Sequence, residues 1–206
     1  MGILNQLTAK PWLDEGEVPE NLGQEAARAG AIPQFALKVF LAVASVLFAL
    51  FLVTYFERMI FGDWRPMPEP WLLWVNTAIL VVGSLGMQHA WSAADEGNMY
   101  PVRAGLLVGG ACAAAFLVGQ LLVWQHMMSL GYYATSNPAN AFFYVMTILH
   151  ALHVLGGFVA WVHTMSAAWQ AGSEVADIRI RVEMCAIYWH FLLVIWGTMF
   201  ALLLLT

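Results

Sequence analysis

Apolar residues along this chain fall into five long runs separated by short polar breaks. The runs cover roughly Phe35–Phe56, Trp71–Trp91, Ala104–Trp124, Ala141–Met165 and Met184–Thr206. Each is near the 20 or so apolar residues that a helix needs to cross a hydrocarbon core about 30 Å thick. In lipid every backbone N–H and C=O must be satisfied internally, so runs of this length predict transmembrane helices. The breaks hold nearly all of the Pro, Asp and Glu. Pro66, Pro68 and Pro70 punctuate the first, Asp95-Glu96-Gly97 the second, and Ser136-Asn137-Pro138 the third, which predicts that helix four starts just after Pro138. The expected fold is all-α, a polytopic membrane helical bundle of five transmembrane helices over residues 34–206. An N-terminal cytoplasmic arm is expected over residues 1–33. That arm opens Met1-Gly2-Ile3-Leu4 and then carries acids, without the basic region and short apolar core of a cleaved signal, so it is expected to be amphipathic or extended.

Composition places the chain in the same class. Of 206 residues, 61% are hydrophobic and 10% charged, against about 25% charged in a soluble domain. The mean hydropathy is +0.71. The net charge of −5 comes from 13 acids and 8 bases, with Asp14, Glu15, Glu17, Glu20 and Glu25 outside the apolar runs. No basic face for nucleic acid results. Lys10, Arg28, Lys38, Arg103, Arg179 and Arg181 flank the runs on the side of the N-terminus, and only Arg58 and Arg65 on the other. Because cytoplasmic flanks collect Lys and Arg, the N-terminus is expected in the cytoplasm and the C-terminus outside. Cys112 and Cys185 lie inside apolar runs without CxxC or Cys/His spacing, and are expected to behave as small apolar residues.

Small and aromatic residues mark packing and interface positions. Gly105, Gly109 and Ala113 recur every fourth residue, which lets another helix approach closely, and Gly83 with Gly86 and Gly156 with Gly157 are expected to do the same. Trp71, Trp74, Trp91, Trp124 and Trp161 sit near span ends, where indole rings favour the headgroup region. Lys38 and Arg103 lie a few residues inside span ends and can snorkel toward headgroup phosphates, so Lys38, Arg103, Trp71 and Trp124 are the candidates for lipid-headgroup contact.

Polar residues at membrane depth are costly and few. They are Asn76 and Gln88-His89 in the second run, Gln120 in the third, Tyr144, Thr147, His150, His153 and His163 in the fourth, and Glu183, Tyr188 and His190 in or beside the fifth. His150 and His153 share a helical face at a spacing of three. Two histidines could bind a metal or haem, with His190 as a third ligand. A metal site, however, wants three or four ligands with support, and no Cys, Asp or further His completes the set. Interhelical hydrogen bonding is the simpler expectation, with His150, His153, Glu183, Tyr188 and His190 as a structural polar network. Glu183 is either a charge favoured at the start of helix five or the partner of a helix-four histidine. No internal repeat is present, and mid-membrane acids and bases are lacking, so an ion-coupled transporter has no support.

Two strings carry a family resemblance. Phe142-Phe143-Tyr144-Val145-Met146-Thr147-Ile148-Leu149-His150-Ala151-Leu152-His153-Val154-Leu155-Gly156-Gly157 resembles the F-x-x-T-G-x-H-G-x-H-V-x-x-G helix of subunit III of the haem-copper oxidases. Glu183-Met184-Cys185-Ala186-Ile187-Tyr188-Trp189-His190-Phe191 through Trp196 resembles the closing E-x-x-x-x-Y-W-H-F-V-D-x-x-W helix of that family. Leu73-Trp74-Val75-Asn76-Thr77-Ala78-Ile79-Leu80 is similar to its L-x-x-N-T-x-I-L helix, and Gly119-Gln120 to its glutamine-bearing helix. The resemblance runs from about Val39 to the C-terminus, with Asn76, Thr77, Gln120, Thr147, Gly156, Trp189 and Trp196 as motif residues. The chain departs from the pattern at three intramembrane acids, where Ala44, Val123 and Leu193 stand instead.

The resemblance implies a non-catalytic accessory subunit without redox centres. It would stabilise subunit I, which carries haem and copper, contact subunit II and further subunits, and hold phospholipid, in a bacterial plasma membrane. The missing acids weaken any role in proton uptake. A related accessory protein of nitric oxide reductases shares the same strings and is the nearest alternative. A self-sufficient di-haem cytochrome using His89, His150, His153 and His190 is the alternative of a different class.

Overall fold

A computed structural model of the chain describes residues 20–65, 68, 70–170, 172 and 174–205, with side chains from residue 32 onward. Its five helices are α1 Glu20–Met59, α2 Leu72–Asp95, α3 Met99–Ser129, α4 Pro138–Trp169 and α5 Val175–Leu205. The stretch Ile32–Met59 of α1 and the whole of the other four are long and apolar enough to cross a membrane. The described chain is therefore all-α and has the character of a multi-pass membrane protein.

Each helix overshoots its apolar run. α1 starts at Glu20 where the run begins at Phe35, and α5 starts at Val175 where the run begins at Met184. Hydropathy marks what can sit in hydrocarbon, whereas a helix continues into the polar layer as long as its residues favour it and water satisfies its end. Glu-Ala-Ala-Arg-Ala over residues 25–29 is such a sequence. Of the arm expected over 1–33, residues 1–19 lie outside the described residues, and the rest is the leading part of α1.

Two compact units divide the chain, Met1–Val39 and Phe40–Thr206. In the first, the described part is the leading end of α1; the packing below is all within the second. There α2 packs on α3 and α5, and α4 packs on α3 and α5. Residues Phe48 and Tyr55 of α1 join Met146 of α4 and Met199 and Leu202 of α5 in a buried cluster.

Small residues set how closely α2 and α3 approach. A Cβ added at Gly105 would stand 2.5 Å from the Gly86 carbonyl oxygen, one at Gly109 would stand 2.6 Å from Met87 Cε, and one at Gly83 would stand 2.8 Å from Cys112 Cβ. With no hydrophobic drive between helices in lipid, such van der Waals fit is what holds them together. Gly156 and Gly157 do not act as a pair. Gly157 receives the Tyr188 ring, with Cε1 2.4 Å from where a Cβ would be, and Gly156 has nothing within 4 Å. Successive helical residues point about 100° apart, so only one of two adjacent glycines can line a given contact.

The chain turns from α2 to α3 through Gly97, whose φ of 76° is in the left-handed region open to glycine. Asn98 N–H reaches back to Ala93 O at 3.0 Å and Gly97 N–H to Ala94 O at 3.3 Å, which closes the helix end. At α4, Asn137 Oδ1 accepts from Ala139 N–H at 3.2 Å, and Pro138 occupies the first turn, where its missing N–H costs nothing.

Candidate functional site: polar groups between the helices

The helix-four and helix-five polar residues occupy three separate settings. His150 is fully buried among rings, with centroids of Trp196 at 5.3 Å, Phe116 at 5.6 Å and Phe48 at 6.5 Å. Neither of its ring nitrogens has a hydrogen-bond partner among the described residues. His153 Nδ1 sits 2.8 Å from Leu149 O of its own helix, so that nitrogen carries the proton and donates. Its ring lies against Phe48 at 5.3 Å and Phe40 at 6.0 Å. Tyr188 ties α5 to α4, its hydroxyl donating to the backbone oxygen of His153 at 2.8 Å.

His190 turns the other way, toward α2. Its Nε2 lies 2.8 Å from Gln88 Oε1 and its Nδ1 2.5 Å from Ser84 Oγ. Because a carboxamide oxygen only accepts, Nε2–H donates, and the Ser84 hydroxyl donates to Nδ1. The partners of His190 are thus on helix two, and the polar network expected between helices four and five is divided between two seams. Ser84 is not marked by hydropathy; its spacing of four from Gln88, which puts both on one helical face, is the signal in the sequence that could have found it. Glu183 is half-buried on α5, seven residues before His190.

The motif residues other than Gly156, which faces open space, are contacts between helices. Asn76 Nδ2 of α2 donates to Gln120 Oε1 of α3 at 3.4 Å, both side chains being buried. Trp196 Nε1 of α5 donates to Thr77 Oγ1 of α2 at 2.9 Å, Trp189 Nε1 to Gly109 O of α3 at 3.3 Å, and Trp124 Nε1 of α3 to Thr147 Oγ1 of α4 at 3.1 Å. Trp161 Nε1 of α4 donates to Leu106 O of α3 at 2.7 Å. An indole has one N–H, so Trp124 and Trp161 spend theirs within the bundle and have none for a headgroup. Ala44 and Val123, where the family pattern carries acids, are buried, and Leu193 is half-buried.

Trp71, just before α2, is 72% exposed, and Lys38, midway along α1, is exposed. Arg103 is partly committed, its Nε donating to Ala168 O at 2.9 Å with the guanidinium 5.3 Å from the Trp169 ring centroid. Arg179 Nε pairs with Asp95 Oδ1 at 2.7 Å, joining the start of α5 to the end of α2. Arg58 pairs with Asp63, and the hydrogen bond from the guanidinium holds the Asp63 carboxyl below its ordinary range.

An apolar groove of about 270 Å³ lies between α3 and α4, lined by Leu117, Gln120, Trp124, Ile148, Leu152 and Leu155 among others. No group of three or more His, Cys, Asp or Glu among the described residues is placed to hold a metal ion. The site is a set of interhelical hydrogen bonds and ring contacts, chemically suited to fixing helices at defined rotations. Neither a scan against models of protein families nor a search of curated proteins found a match to this chain.

Proposed function

We propose that this chain is a non-catalytic accessory subunit of the subunit III kind, in a bacterial haem-copper terminal oxidase of aerobic respiration. It packs on subunit I, which holds the haem and copper for electron transfer to dioxygen and proton translocation, and it sits in the plasma membrane with its N-terminus cytoplasmic. The observation that carries the proposal is where the motif residues lie. Asn76, Gln120, Thr147, Trp189 and Trp196 are all buried at contacts between helices, which fits strings that build a scaffold. Family-pattern acids replaced by Ala44, Val123 and Leu193 leave no carboxylate at those three positions for proton loading. Bound phospholipid is part of the same proposal, with Lys38 and Arg103 each a separate candidate for headgroup contact and the groove between α3 and α4 a candidate for acyl chains.

The di-haem alternative meets a specific obstacle. Both ring nitrogens of His190 are already hydrogen-bonded, and His153 Nδ1 is bonded to its own helix, so neither side chain is poised as an axial ligand through those atoms.

The test is purification of the tagged chain from its membrane, with co-purifying chains identified by mass spectrometry and a reduced-minus-oxidised spectrum taken with and without it. The proposal expects subunits I and II beside it and a haem spectrum that survives its deletion while assembled enzyme and working lifetime fall. Subunits of a nitric oxide reductase in their place would favour the related accessory protein. A haem band lost on deletion, with subunit I in normal amount, would overturn the accessory role.

A further inference from the structure

We draw no further inference here: the strongest candidate, the apolar groove between α3 and α4 that the buried Gln120 borders, carries nothing, because nothing in the structure shows what covers it.

Discussion

Asn76 of α2 projects its carboxamide into the space that Gly119 of α3 leaves open. A Cβ added at Gly119 would stand 2.0 Å from Asn76 Oδ1, well inside contact distance. The glycine and the asparagine are therefore a matched pair, and Gln120 beside the glycine supplies the oxygen that the asparagine amide reaches.

Gly119→Ala should displace Asn76 and weaken its bond to Gln120. Overpacking of this kind costs about 1–3 kcal/mol. Thermal unfolding of the purified chain in detergent is the measurement. A melting temperature equal to the parent's would mean the two helices separate freely at this point.

Gly157→Ala and Gly156→Ala should behave in opposite ways although the residues are adjacent. The first drives a methyl into the Tyr188 ring and should cost about 1–3 kcal/mol. The second meets open space and should be neutral or raise stability slightly, since alanine favours a helix over glycine by up to about 1 kcal/mol. Unfolding of the two variants side by side decides it, and equal losses would contradict the α4–α5 contact.

His150→Leu and Ser84→Ala form a second contrast. His150 has no hydrogen-bond partner among the described residues, so leucine removes two unpaired nitrogens along with the ring contacts, and stability should stay within about 1 kcal/mol of the parent. Ser84→Ala strips the donor from His190 Nδ1 in a seam where Gln88 holds the other nitrogen, and should cost about 1–3 kcal/mol. A large loss at His150 with none at Ser84 would reverse the assignment of which histidine is held by hydrogen bonds.

Asp63 lies in the loop after α1, and its hydrogen bond from Arg58 lowers its pKa. A lowered folded-state pKa means the pair contributes above the ordinary carboxylate range and is lost as pH falls through the lowered value. Carboxyl resonances of Asp63 followed by NMR should titrate below those of an unpaired aspartate, and Arg58→Gln should move the midpoint up. Global unfolding should hardly respond, because fully exposed pairs contribute little.

How much of this was legible in the sequence depends on the kind of residue. The five spans could be found from apolar runs because crossing a hydrocarbon core requires about twenty such residues whatever the neighbours are. The starts of α1 and α5 could not, since Glu20 and Val175 begin helices in polar sequence where hydropathy is silent, whereas Asn137-Pro138 marked the start of α4. The roles of Gly105 and Gly109 were visible in their spacing of four, which puts small residues on one face of any helix. Gly110, whose added Cβ would lie 2.1 Å from Trp161 Cζ2, falls outside that spacing.

The sequence by itself determined that the chain is all-helical, that it has five stretches able to cross a membrane, and which few polar residues lie within them. Only the tertiary structure decided which of those residues meet. His150, His153 and His190 are alike in a sequence, but helix rotation puts one among rings, one on its own backbone and one on Ser84 and Gln88. Trp124 near a span end looks like a headgroup anchor until Thr147 is found 3.1 Å from its nitrogen. The physical reason is that burial depends on a residue's own chemistry, which composition records, while a hydrogen bond depends on the rotation and offset of two helices, which is set jointly by all the small and large residues along their seam.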